Sequence, residues 1–114
     1  MIAVIFEVRP AEGHRDAYLA LAGKLREDLM QMDGFISVER FQSLTDPDKM
    51  LSLSFWRDEE AVAAWRNHER HRATQSAGRG GVFAEYRLCV AAVLRDYGLT
   101  ERAEAPADSR AHHE

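Results

Sequence analysis

The run Leu88-Cys-Val-Ala-Ala-Val-Leu94 constrains the fold most, because it is apolar at consecutive positions. In a strand, successive side chains point to opposite faces, so such a run has to be covered on both sides. The preceding chain supplies elements to pair with it. Residues 2–8 (Ile-Ala-Val-Ile-Phe-Glu-Val) are β-branched and aromatic and predict a first strand. A turn at 10–14 leads into a helix to about Met32, with Tyr18, Leu21, Leu25, Leu29 and Met32 forming one stripe. Asp33-Gly34 ends it, glycine suiting the left-handed C-terminal position.

Residues 35–41 alternate as a second strand. Thr45-Asp-Pro-Asp48 is turn chemistry, and residues 49–56 alternate Leu51, Leu53 and Phe55 against serines as a third strand, making a hairpin. Asp58 predicts an N-cap, with Glu59 and Glu60 at the positive end of a second helix dipole. Asn67 is expected to break that helix, with a separate polar helix reaching the Gly78-Arg-Gly-Gly81 turn. The last strand is expected over 82–97, and residues 98–114, polar and without period, as a tail. The order β-α-β-β-α-β is ferredoxin-like α+β, an antiparallel sheet with helices on one face only. Covering the other face predicts sheet-to-sheet pairing with a second copy, a symmetric homodimer.

The chain has 114 residues, enough for one domain, and at 46% hydrophobic and 30% charged it is globular in composition. A net charge of −4 opposes nonspecific nucleic-acid binding. No apolar run reaches the roughly 20 residues of a membrane span, and residues 1–9 lack the features of a signal peptide. Cys89 is the single cysteine, so no intrachain disulfide forms; a cytoplasmic setting is expected. Flanked by Leu88 and Val90, it reads as a small buried apolar residue.

The segment from Ala61 to Arg79 is helix-like yet carries almost no hydrocarbon beyond Trp65. At about 100° per residue, His68, His71, Arg72 and Gln75 fall on one side, which predicts either a loose surface helix or the wall of a polar cavity. The plainer readings are Trp65 as core packing and the histidines as part of a solvated charged face. His68-x-x-His71 lacks a third ligand nearby, so no metal site is expected. No Ser-His-Asp pattern, phosphate loop or dinucleotide fingerprint is present.

The element order, the tryptophan near the end of helix two, the His-x-x-His-x-x-x-Gln run and the last strand ending Val-Leu-Arg-Asp-Tyr97 resemble the antibiotic biosynthesis monooxygenase (ABM) domain over residues 1–97. The resemblance implies a dimeric α+β barrel with a pocket between helices and sheet in each subunit. It also implies a monooxygenase that oxidises a small aromatic phenol, an anthrone-like compound or a quinol with O2 and no cofactor. Under that reading His68 or His71 is the base. Arg72, Gln75 and the Trp65 indole hold the anion or oxygen, and Phe6, Phe55, Phe83 and Tyr86 line an aromatic slot. The alternatives are a non-catalytic small-molecule binder or sensor of the same fold, or a haem-binding protein. Haem-degrading relatives place an iron-binding histidine ten residues after the tryptophan; here Gln75 stands there, and an amide is a poor iron ligand.

Overall fold

A computed structural model describes residues 1–77 and 81–113, and the side chains of all of these except 69–77 and 112–113. Strand β1 (Ile2–Pro10) leads into helix α1 (Arg15–Leu29), then β2 (Phe35–Gln42), β3 (Met50–Trp56), α2 (Glu59–Ala77), β4 (Phe83–Ala92) and a short α3 (Ala107–His113). The four strands form one antiparallel sheet in the order β2-β3-β1-β4, the ferredoxin-like arrangement expected from the sequence.

Register decides what each face carries. Val4 lies opposite Ser54 and Phe6 opposite Ser52, and these pairs share the helix-facing side with Val8, Met50 and Trp56. Helix α1 sets Tyr18 and Ala22 against Val8 and Met50, while its Leu29 joins Trp56, Ala61 and Val62 of α2. The opposite face carries Ile5, Leu51, Leu53 and Phe55, each half-buried in the single chain. On β4, Leu88 and Val90 lie opposite Phe6 and Val4, on the helix-facing side, and remain 50% and 44% exposed.

Helix α2 begins on a side-chain cap. Asp58 Oδ1 accepts the Ala61 amide at 2.9 Å, satisfying one of the orphan donors of the first turn. That amide, and secondarily Arg57, hold the Asp58 carboxyl below its ordinary range. The Arg57 guanidinium also forks onto Asp33, at 3.2 and 3.1 Å, and lowers its pKa. The Arg57 amide donates to the Gly34 carbonyl at 2.8 Å, tying the post-α1 loop to the start of α2. Gly34 has φ +85°, and a Cβ there would lie 2.6 Å from Ala61 Cβ.

Three expectations change. Helix α2 runs through Asn67 without a break, since asparagine costs a helix interior at most about 0.7 kcal/mol. Strand β4 stops at Ala92 because Ile2 is its last partner there, with the Val93 amide bonding the Met1 carbonyl just beyond. Residues 98–114, expected as a polar tail without period, contain α3, and Ala105 is only 7% exposed. Glu104 accepts the Asp96 amide at 3.1 Å, Arg102 lies 5.3 Å from the Tyr97 ring centroid, and Arg102 donates to Ser109 Oγ at 2.9 Å. These contacts fold the segment back on Asp96 and Tyr97, in the link that follows β4.

Candidate functional site

Between the helices and the sheet lies a cavity of about 150 Å³. Its floor is Val4, Phe6, Ser52 and Ser54; α1 contributes Leu21, Leu25 and Leu29, and α2 contributes Val62, Trp65 and Arg66. The space follows from side-chain size. Ser52 and Ser54 occupy the central strand where Leu or Phe would fill the layer, so helices spaced by Tyr18, Leu29 and Trp56 leave a gap above them. Ser54 has a second duty, accepting the indole N–H of the buried Trp56 at 2.9 Å.

Two aromatic groups bound the cavity. At one end Phe35, Trp56, Trp65 and His68 form a ladder, with centroids 5.4 Å apart from Phe35 to Trp56, 6.3 Å from Trp56 to Trp65, and 5.4 Å from Trp65 to His68. The last two steps are stacked. At the other end Phe6 meets Phe83 at 6.0 Å and Tyr86 at 5.8 Å, and Tyr18 meets Phe83 at 5.8 Å. Trp65, Phe6 and Phe83, singled out from sequence, therefore surround one space. Tyr86 adjoins it through Phe6 and Phe83 and is 64% exposed.

His68 sits behind Trp65 and outside the described lining. Its Nε2 is 3.7 Å from Asp28 Oδ2, an ion-pair distance for a protonated ring but too long for a hydrogen bond. That nitrogen is buried, with no hydrogen-bond partner among the described residues. The side chains of His71, Arg72 and Gln75 lie outside the described residues.

Phe55 does not join the site. It pairs with Ala3 in the register that sets Ser54 against Val4, so it belongs to the opposite sheet face with Leu51 and Leu53. The alternation in β3 is real, but its apolar set faces away from the helices.

Two arginines outside the expected set also face this space, Arg66 having read from the sequence as surface charge and Arg40 having carried no expectation. Arg40 on β2 and Arg66 on α2 line the cavity, and no carboxylate is among its described lining. Arg40 Nη2 donates to the Ala22 carbonyl at 3.3 Å, while its Nε is buried without a partner among the described residues. The signal was present in the alternation of β2, where Arg40 follows Val38 at a helix-facing position. A cation at an inward position asks for a partner.

Among the described residues no three of His, Cys, Asp and Glu cluster as metal ligands, and no helix is long and apolar enough to cross a membrane.

Similarity to known proteins follows the same architecture. The family described as antibiotic biosynthesis monooxygenase matches residues 1–77. A relative from Pyricularia oryzae, named jasmonate monooxygenase ABM, is 47% identical over 93 residues, covering 82% of this chain and 43% of that protein. The chain thus spans less than half the length of that relative. The Bacillus subtilis protein YqjZ is 30% identical over 94 residues, covering 82% of this chain and 79% of that one. Among solved structures, Rv0793 from Mycobacterium tuberculosis superposes with a TM-score of 0.71 at 21% identity, over 85% of this chain and 98% of that one. A structure of MhuD, with manganese protoporphyrin IX bound in its active site, has a TM-score of 0.69 at 18% identity, over 86% and 99% of the two chains. At that identity both share the fold and nothing more is implied. The ferredoxin-like sheet, the cavity beneath α1 and α2 and the match over residues 1–77 converge: this chain belongs to the antibiotic biosynthesis monooxygenase family.

Proposed function

We propose that the cavity under α1 and α2 is the substrate site of a monooxygenase acting on a small, largely apolar ring compound with O2. The observation that supports this best is one space walled by Trp65, Phe6 and Phe83 in a chain of this family. For a phenol, an anthrone-like compound or a quinol, the substrate supplies the electrons itself. In the anthrone-like case a CH2 becomes C=O; one oxygen atom of O2 enters the product, the other leaves as water, and the substrate loses four electrons.

The protein's tasks are to remove the first proton, hold the anion and exclude water. His68 is the proposed base, stacked on Trp65 with the Asp28 carboxylate 3.7 Å from its Nε2. His71, Arg72 and Gln75 follow on the same helix and are proposed as further polar groups of the site on the sequence pattern alone. The working unit is proposed to be a homodimer through the face bearing Ile5, Leu51, Leu53 and Phe55, an apolar set that the register turns away from the cavity and from α1 and α2.

Purified, metal-depleted protein should consume O2 when given phenols, anthrones or quinols, and His68→Ala should lower the rate. Absence of protein-dependent uptake across such a panel overturns the oxygenase reading; ligand binding without turnover would make the chain a binder instead. Unchanged turnover in both His68→Ala and His71→Ala removes the histidines as bases. A Soret band on haem titration would indicate porphyrin binding despite Gln75.

A further inference from the structure

We infer that the cavity selects a ligand that already carries a carboxylate at neutral pH, seated on Arg40. This rests on the reading of the cavity as the substrate site and adds the charge class of what enters it.

The argument begins with charge balance. A guanidinium stays protonated at every physiological pH. Arg40 and Arg66 both line the cavity, and no acidic side chain is among its described lining. Arg66 is exposed, so water solvates it at the rim. Arg40 is different: it is half-buried between β2 and α1, its Nη2 is committed to the Ala22 carbonyl at 3.3 Å, and its Nε is buried with no partner among the described residues. A buried donor on a permanent cation is an open demand for an acceptor, and an anionic oxygen meets it best.

The surroundings limit what that anion is attached to. Val4, Phe6, Leu21, Leu25, Leu88 and Val90 offer hydrocarbon, and Ser52 and Ser54 add short hydroxyl side chains to the floor. A compact apolar body with one ionised head fits this division. A phenol titrates near about 10 and reaches the site neutral, whereas a carboxylic acid titrates near about 4 and arrives as the anion. Arg66 at the rim then attracts the same charge from solution, and the aromatic rings at the two ends grip the body.

Calorimetric titration with hydrocinnamate and its primary amide, hydrocinnamamide, tests this without requiring turnover, since the two differ chiefly in charge. The acid should bind the wild-type protein at least about tenfold more tightly than the amide, the worth of a charge-assisted contact. The preference should fall to near unity in Arg40→Gln and survive in part in Arg40→Lys, which keeps the charge and loses the fork. Each ratio is internal to one variant, so general destabilisation does not mimic the result. Equal affinity in the wild type, an unchanged ratio in Arg40→Gln, or binding of neither compound overturns the inference. Oxygen uptake with neutral phenols and no acid preference would discard this inference and keep the oxygenase; acid-selective binding without uptake on any substrate would do the reverse.

Discussion

Gly34→Ala tests whether the start of α2 is locked to the loop after α1. Gly34 has φ +85°, a conformation that costs an L-residue about 1–2 kcal/mol. The new methyl would also stand 2.6 Å from Ala61 Cβ and 3.3 Å from the Arg57 guanidinium carbon. Carbon pairs rest at about 3.5–4.0 Å, so the helix has to retreat by roughly 1 Å. Ala61 is only 4% exposed and packs with Trp56, Leu29 and Val62, which leaves no slack behind it. Overpacking of this kind costs about 1–3 kcal/mol, against a gain near 0.5 kcal/mol from stiffening the unfolded chain. The net expectation is a loss of about 2–4 kcal/mol in urea unfolding, with a fall in Tm on the order of 10 °C. The double variant Gly34→Ala/Ala61→Gly separates the two causes. Removing the Ala61 methyl should return the packing share and leave the backbone share, giving a favourable coupling of at least about 1 kcal/mol. A single-variant loss below about 1 kcal/mol, or a double variant with no recovery, refutes the reasoning.

Other outcomes follow from the same contacts. The Asp58 carboxyl is held below its unfolded value of about 3.9; the folded state therefore binds its proton more weakly, and the stability it supplies is full above about pH 4 and lost as pH falls through the depressed folded value. Asp58→Asn, which keeps a capping oxygen, should flatten that part of an acid titration followed by circular dichroism. Ser54→Ala removes the acceptor of the Trp56 indole N–H at a site 8% exposed and should cost about 1–3 kcal/mol in chemical denaturation. Leu53→Asp places a charge on the face proposed for dimerisation; sedimentation should shift from dimer to monomer while the monomer keeps its far-ultraviolet spectrum, and an unchanged dimer would move the interface elsewhere.

Much of the architecture could be read because its signals are local. The strand at 2–8, the hairpin around Thr45-Asp-Pro-Asp48 and the cap at Asp58 each depend on a few adjacent residues, and each is present. The end of β4 was not readable, since it depends on where β1 runs out of partners. Neither was the continuity of α2 through Asn67, where a weak propensity yields to the rest of the helix. Trp65, Phe6 and Phe83 line one cavity, a meeting legible in the sequence because large aromatics on opposing elements tend to pack together. Phe55 went astray because alternation divides a strand into two sets without saying which set faces the helices.

By itself, then, the sequence determined the element order, the ferredoxin-like pairing and the need to cover a strand apolar on both faces, because periodicity and turn chemistry are written over short distances. Only the tertiary structure decided that the serines of β3 face α1 and α2 while its leucines face away. That choice comes from register across β1, where Ser54 meets Val4 and Leu53 meets Ile5. It opens a cavity over small side chains and brings Arg40, distant in sequence from Trp65 and Phe83, into the same space.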